Sequence, residues 1–475
     1  MTDFSAIEAE IDRLVLKTAP NLVDPTKALM EILPWQLEDA RFVSTWTGGV
    51  LGHRTGAGKT LMAIVAWALR PEIKRTLILG TRSSISTWRK NLLEWANTPV
   101  CILTGRRDEG WLSYETLPEG VWVCTFATFR DYMESYQGTR DRAPQVDLVI
   151  VDELHRILRS KKTKFYSALT MLWPKLFIGL SATWASRGPQ DLWPVLHFIN
   201  RKTFPSYWRF VETFCFVEKT QFGTEIFGVR NAENLRKLMR SKYYASRPIT
   251  GFKGIRREAV PLDFTSVWQK KYDALERDMI LKMEGVTVVT PNSLAKLTRL
   301  LQLSISPKVL DPEEKEYGPV VTYIVEQVSD DPHTVIYTPY TEAIVVIRQA
   351  LIEDGYPPEN IFTLQGGDDE DDIDLVEKRW KEARGVLLCT ITFAQSFRVD
   401  TSDTAYFAGF SWDPNDNIQA EGRLEALNSK RENPALCRYI YVRGTAYESA
   451  VLPVLDNKNY NVTTFLKDRT AREET

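Results

Sequence analysis

The sequence predicts an α/β fold in which two parallel-sheet lobes are separated by a mostly helical segment. Short apolar runs, each bounded by polar or glycine residues, alternate with longer amphipathic segments. These runs fall into two groups, residues 49–180 and 320–442, and the stretch from Trp184 to Pro319 lacks the alternation. The chain of 475 residues also has room for more than one core, since a domain takes roughly 150 residues.

Each segment has its own signal. Residues 1–30 are read as an N-terminal helix. Met1 to Lys17 is acidic then basic, and it lacks the basic start and apolar centre of a secretion signal. Residues 31–190 form the first lobe, with the runs Gly49-Val50-Leu51, Thr76-Leu77-Ile78-Leu79 and Leu148-Val149-Ile150-Val151. Runs that are apolar at every position suit strands covered on both faces of a parallel sheet. Leu61 to Leu69 has a helical pattern. Residues 191–315 are read as a mostly helical insertion and linker. Residues 316–455 form the second lobe, with Thr334-Val335-Ile336-Tyr337, Val386-Leu387-Leu388-Cys389 and a helix from Glu342 to Ile352. Residues 456–475 form a tail. There is no internal repeat.

Hydrophobic residues make up 44% and charged residues 26% of the chain, and the formal net charge is −2. A polyanion would therefore meet local basic surfaces rather than a global positive field. No apolar stretch approaches the roughly 20 residues that cross a bilayer, so no membrane partner is expected. The five cysteines, Cys101, Cys124, Cys215, Cys389 and Cys437, form no C-x-x-C pair. Neither a disulfide framework nor a zinc site is indicated, and a reducing, cytoplasmic compartment is expected.

Two motifs carry chemistry. Thr55-Gly56-Ala57-Gly58-Lys59-Thr60 follows an apolar strand and precedes a helix. In that context the glycines let backbone N–H groups turn toward phosphates, Lys59 adds a positive charge, and the Thr60 hydroxyl can ligate Mg²⁺. The strict pattern has glycine where His53 stands; the shorter G-x-G-K-T form is intact. The second motif is Asp152-Glu153-Leu154-His155, at the end of an apolar strand expected next to the phosphate-loop strand. Asp152 would hold Mg²⁺ and Glu153 would polarise an attacking water. His155 is either a coupling residue or a polar packing residue. The motifs together point to a nucleoside triphosphate with Mg²⁺.

With these residues in place, the chain resembles the superfamily 2 helicases, and among them the Swi/Snf-type DNA translocases, from about Leu33 to Ala450. Leu33-Pro34-Trp35-Gln36 is similar to the family's adenine-reading segment, which puts Gln36 on the base. Thr76 to Trp95 resembles the next block, with Trp88, Glu94 and Trp95. Thr125 and Thr128 lie where the family touches a DNA strand. Ser181-Ala182-Thr183 resembles its coupling motif, with Trp184 in place of the usual proline. In the second lobe Tyr337-Thr338, Gln365-Gly366, Leu387 to Thr390, Asp403-Thr404, Trp412-Asp413-Pro414, Gln419-Ala420-Glu421-Gly422-Arg423, Gly444-Thr445 and Glu448 follow in the family's order.

The resemblance implies two RecA-like lobes of the P-loop NTPase type and an ATPase that uses Mg²⁺ and is stimulated by DNA. ATP would be held by Gln36, Thr55 to Thr60 and Gln419. Lys59, Asp152, Glu153 and Arg423 would carry hydrolysis, and His155, Ser181 and Thr183 would couple it to motion. DNA, in duplex form, would be gripped by its backbone. Arg82, Thr125, Arg247, Arg256 and Arg257 are the candidate contacts, although basic runs such as Arg236 to Arg257 are equally solvated surfaces. A further protein could recruit the motor. A role in replication, recombination or repair, in the cytoplasm of a bacterium or a virus-infected cell, follows by analogy. Two departures stand out. Phe393, Ala394 and Ser396 replace the family's loop glycines, and Ala426 replaces its second arginine. They leave open a nucleotide-gated binding module with weak turnover. An RNA-dependent helicase is the other alternative.

Overall fold

The computed structural model describes residues 12–103, 119–134, 145–158, 160–182, 184, 188–220, 223–249, 251–278, 280–282, 287–289, 293–330, 333–365, 370–394, 397, 399–425 and 431–452. The described residues up to Ile249 form one compact unit and those from Gly251 onward a second.

The first unit is built on seven strands. In chain order they are β1 (Gly48–Leu51), β2 (Arg75–Gly80), β3 (Val100–Leu103), β4 (Gly120–Thr125), β5 (Leu148–Val151), β6 (Leu176–Leu180) and β9 (Tyr244–Ala245). They lie in the spatial order β3-β4-β2-β5-β6-β1-β9, and each neighbouring pair is parallel. All residues of β1, β5 and β6 are buried. Alternate residues feed two cores. Val50, Val149, Val151 and Phe177 pack on one face, and Leu51, Ile150, Ile178 and Leu180 on the other. This is the period of two that puts successive side chains on opposite faces of a strand.

One expectation is corrected. The strand that ends at Asp152 does not adjoin the phosphate-loop strand, because β6 lies between β5 and β1. Close packing fixes this arrangement. A Cβ on Gly179 of β6 would run into the Leu154 side chain and come 3.1 Å from Val50 Cγ2. At that position of β6 only glycine fits.

The entry to β1 is equally restricted. Gly48 has φ +133°, and a Cβ there would overlap the carbonyl oxygen of Phe177 and lie 2.8 Å from its carbon. We expect Gly48→Ala to destabilise the first unit by about 3 kcal/mol or more, the upper end for a backbone forced into a glycine-only region. Thermal unfolding measures this directly; a melting temperature unchanged from the parent would show that β1 does not need glycine there.

The second unit carries β10 (Ile255–Leu262), β13 (Val335–Thr338), β14 (Ile361–Leu364), β15 (Val386–Thr390), β16 (Thr404–Ala408) and β17 (Ala435–Val442). Their order is β10-β17-β16-β13-β15-β14, again parallel throughout. Its core is a single cluster that includes Ile336, Leu388, Phe407 and Ile440. The two parallel sheets with flanking helices are the two RecA-like lobes.

The middle region holds the expected helices, Tyr207–Phe214, Ala232–Lys242, Ser266–Asp278 and Ser293–Ile305. It also holds strands that composition did not disclose. β7 (Phe216–Thr220) and β8 (Gly223–Phe227) form an antiparallel hairpin, as do β11 (Ile280–Lys282) and β12 (Thr287–Val289). β9 completes the first sheet and β10 the second. The basic cluster from Arg236 to Arg257 is thereby divided, with Arg247 in the first unit and Arg256 and Arg257 in the second. Before the first lobe, Asp24 caps a helix at Pro25–Glu31 by accepting from Lys27 N–H. No helix among the described residues is long and apolar enough to cross a membrane. Residues 1–11, Thr183, Gly366, Ser396, Ala426 and the 456–475 tail lie outside the described residues.

Candidate nucleotide-binding and hydrolysis site

The phosphate loop leaves the end of β1 and enters the helix Lys59–Ala68. Gly56 and Gly58 both have φ +80°, the left-handed region that glycine enters without steric cost. Gly58 caps the helix, so the first N–H groups of the helix face the loop with no acceptor of their own, a site suited to an anion. A Cβ on Gly58 would sit 2.6 Å from Gln36 Nε2, so the loop and Gln36 fit only because that position is bare. Lys59 Nζ donates to the carbonyls of His53 (2.9 Å) and Arg54 (3.1 Å), tying the helix start to the head of the loop.

Gln36 is buried, and its amide is engaged at both ends. Oε1 accepts from Leu33 N–H at 2.9 Å, and Nε2 donates to the Ala57 carbonyl at 2.9 Å. It therefore braces the loop from the helix Pro34–Thr45. An amide oxygen has a second lone pair and an amide nitrogen a second proton, so bracing leaves room for a base contact.

Asp152 follows β5 directly. Its Oδ2 accepts from Trp88 Nε1 at 3.0 Å, and its Oδ1 accepts from Glu153 N–H at 2.9 Å. Burial, and secondarily the Glu153 carboxylate, push its proton affinity above the ordinary range for aspartate; Trp88 and the Lys59 ammonium act in the other direction. A carboxylate with raised proton affinity is one short of positive charge, which fits a divalent cation. Thr60 and Asp152 are the residues that would hold Mg²⁺. Such an ion takes few protein ligands and completes its shell with water and phosphate oxygens. When bound, it would neutralise charge on the phosphates.

Glu153 has φ +46°. A left-handed, non-glycine residue at this position stores strain of about 1 kcal/mol or more, of the kind found at functional sites. His155 is buried, with Nδ1 3.3 Å from Glu153 Oε2 and 3.0 Å from Ser181 Oγ. A bare nitrogen lone pair facing a carboxylate would be repelled, so Nδ1 carries the proton. Ser181 N–H in turn donates to the Leu51 carbonyl at the end of β1. The inserted strand β6 thus explains its own position: it delivers Ser181 between the carboxylate pair and the phosphate loop. Trp184 is buried, with its ring 5.8 Å from that of Tyr244, and Tyr244 Oη donates to the Gly52 carbonyl. The residue that stands where proline was expected is a packing residue behind the loop.

In the second unit, the helix Pro414–Glu421 starts at Asp413, which accepts from Asn415 N–H. It carries Gln419, which is buried, and Arg423 lies in the turn just past Gly422. Tyr337 Oη donates to the Ala420 carbonyl at 3.3 Å. Ala394 is fully buried, and Phe393 packs 6.4 Å from Phe397. Phe393 and Ala394, two of the residues that stand for the family's glycines, are packed into the lobe.

Two of the candidate nucleic-acid contacts make ion pairs within the protein. Arg257 donates from Nε and Nη2 to the two oxygens of Glu421, each at 2.6 Å, and Tyr439 Oη donates to the same carboxylate. Glu421 is 1% exposed, and a buried carboxylate must be paired. Arg257 is therefore part of the Gln419–Arg423 motif's own support. Arg247 pairs with Asp39 and Glu38. Arg82 and Arg256 are exposed. The Thr125 hydroxyl accepts from Thr128 N–H at 3.1 Å, capping the helix Phe126–Glu134 at the carboxyl end of β4.

Sequence reasoning missed three site residues. Trp88 is placed by the resemblance in a family block but given no role, and it holds Asp152. His53 reads as a defect in the motif, and Asp39 as an ordinary helix acid; they bond to each other at 2.8 Å. A buried charge partner 14 residues away has no sequence signal.

The profile of the SNF2-related domain matches residues 29–246, the segment that holds every described part of the first-lobe site. Over that segment the chain is similar to the Swi/Snf-type members of helicase superfamily 2. Enzymes of that superfamily are hydrolases acting on ATP. The chain is similar, at 22% identity, to the CHD3-type chromatin-remodeling factor CHR7 of Arabidopsis thaliana, over 89% of this chain and 36% of that protein. It is also 22% identical to the uncharacterized ATP-dependent helicase YqhH of Bacillus subtilis, over 84% of this chain and 74% of that one. The chain spans 14% of the length of the human chromodomain-helicase-DNA-binding protein 7, to which it is 20% identical. Among solved structures it is similar to the Sulfolobus solfataricus SWI2/SNF2 ATPase core in complex with dsDNA. The TM-score is 0.41 and the identity 17%, and the match covers 93% of this chain and 94% of that chain.

Proposed function

We propose that this Swi/Snf-type chain hydrolyses ATP and uses the cycle to translocate on duplex DNA, gripping the phosphate backbone. The observation that carries this is the first-lobe constellation: Lys59 at the mouth of a glycine loop, Asp152 with raised proton affinity, and Glu153 linked through His155 to Ser181. Lys59 and the helix N–H groups bind the β- and γ-phosphates. Glu153 orients and polarises the attacking water, and His155 holds its carboxylate in place. The protonation state of Glu153 passes to Ser181 through one imidazole, a route by which hydrolysis can be sensed at the end of β1. Similarity to a dsDNA-bound family core favours duplex as the track, and exposed Arg82 and Arg256 are the candidate backbone contacts. The five cysteines are free, which supports a reducing cytoplasm as its compartment. We further propose a replication, recombination or repair role, by analogy with other compact motors, and a recruiting protein partner.

The test is steady-state ATP hydrolysis with duplex DNA, single-stranded DNA or RNA at two salt concentrations. Stimulation of about tenfold or more by duplex, weakening as salt rises, is expected because phosphate contacts release counterions. Tight nucleotide and DNA binding without stimulated turnover would replace the motor with a nucleotide-gated binding module. Stimulation by RNA alone would make it an RNA-dependent enzyme.

A further inference from the structure

We propose that Arg247, Asp39 and His53 form a positioning relay that sets the charge and geometry of the phosphate loop from the point where the chain leaves the first lobe. The inference rests on the ATPase reading and adds to it three residues that no motif assigns.

The relay is continuous. Arg247 donates from Nε to Asp39 Oδ2 (2.9 Å), from Nη2 to Asp39 Oδ1 (2.6 Å) and from Nη1 to Glu38 Oε2 (3.0 Å). Asp39 Oδ2 also faces His53 Nε2 at 2.8 Å. The His53 carbonyl accepts from Lys59 Nζ. The chain passes into the second unit just after Ile249, two residues beyond Arg247.

The protonation states follow from the contacts. Burial alone would raise the proton affinity of Asp39, but its hydrogen bonds to His53 and Arg247 hold it below the ordinary range, so it is ionised. An ionised carboxylate only accepts, so His53 Nε2 carries a proton. His53 is 0% exposed, and its Nδ1 has no hydrogen-bond partner among the described residues. Arg247 is the permanent cation that balances Asp39. The Trp35 ring, 5.4 Å from the His53 ring, adds no charge.

Breaking the relay at Arg247 leaves a buried carboxylate hydrogen-bonded to the first residue of the phosphate loop. An unpaired buried charge is the expensive outcome when one partner of such a pair is removed. It also repels the triphosphate. At about 10 Å and an effective dielectric of about 20, one such charge weakens phosphate binding by about tenfold. Restoring neutrality by removing both charges removes that penalty.

The full-length chain is titrated with a fluorescent ATP analogue plus Mg²⁺ and assayed for kcat and KM, with thermal unfolding measured in parallel. For folded Arg247→Gln we expect a Kd and KM raised by about tenfold and a kcat within about threefold of the parent, because the defect is electrostatic and acts on binding. Arg247→Lys, which keeps the charge but loses the two-pronged contact, should weaken binding by about threefold. The double variant Asp39→Asn, Arg247→Gln should bind more tightly than Arg247→Gln alone, a rescue that a purely structural role does not produce. Parental affinity in folded Arg247→Gln overturns the relay, as does absence of rescue in the double variant. Where Arg247→Gln does not fold, parental affinity in Arg247→Lys overturns it. A parent that binds no nucleotide, or a Lys59→Ala variant that binds like the parent, would instead overturn the ATPase reading itself.

Discussion

Lys59→Ala is expected to reduce ATP turnover by about 10³-fold or more, at the upper end of what one transition-state donor supplies. Two independent losses combine. The ammonium is the positive side chain within the phosphate loop, and without it the charge developing on the β- and γ-phosphates is met by backbone N–H groups alone. The side chain also holds the loop together through the His53 and Arg54 carbonyls, so its removal loosens the geometry in which those N–H groups converge. A third effect acts on Asp152, whose proton affinity is restrained by the Lys59 charge. With that charge gone the carboxylate is protonated more readily and offers less to a cation. Phosphate-release kinetics with and without DNA measure the loss, and nucleotide binding should weaken in parallel. Turnover within a few-fold of the parent would mean that Thr55–Thr60 is a glycine turn before a helix and not a phosphate loop.

Glu153→Gln separates binding from chemistry. The amide is nearly isosteric and keeps the side chain in place, but it cannot accept a proton from water. Turnover is expected to fall by about 10²–10⁴-fold, the range for a general base. Nucleotide binding is expected to persist, and with Mg²⁺ present to tighten, because the Glu153 charge is one of the causes that raise the proton affinity of Asp152. Removing it leaves Asp152 more fully ionised and a better cation ligand. The pairing of unchanged or improved binding with lost turnover is the signature to look for in parallel equilibrium binding and single-turnover assays. If binding is lost as well, Glu153 is a structural residue, and its left-handed backbone and contact with His155 serve packing alone.

The legibility of this molecule divides along a physical line. The strands β2, β5, β13 and β15 were readable because parallel strands covered on both faces must be apolar at every position, and those runs are local. The phosphate loop was readable because its chemistry requires glycines, a lysine and a threonine at consecutive positions. The edge strands β9 and β10 were not readable. β9 has two residues, and β10 carries Arg256, Arg257 and Glu258 in succession, so neither carries the apolar signature of a buried strand. Likewise, the run of basic residues from Arg236 to Arg257 reads as one surface, and the fold divides it between two units.

What the sequence determined by itself is the local part: the α/β alternation and the two lobes, with Lys59, Thr60, Asp152, Glu153 and Arg423 as the candidates its motifs single out. These follow from short-range rules of strand burial, backbone conformation and phosphate chemistry. What only the tertiary structure decided is the placement of charge among residues far apart in the chain. It inserted β6 between β5 and β1, which brought Ser181 to His155. It put Trp88 on Asp152, and it committed Arg257 to Glu421 and Arg247 to Asp39. The reason is the cost of burying an ionised group. A buried carboxylate has to find a donor wherever the fold brings one within reach, and that demand, set by burial and not by sequence separation, paired two of the candidate DNA contacts with carboxylates of the protein itself.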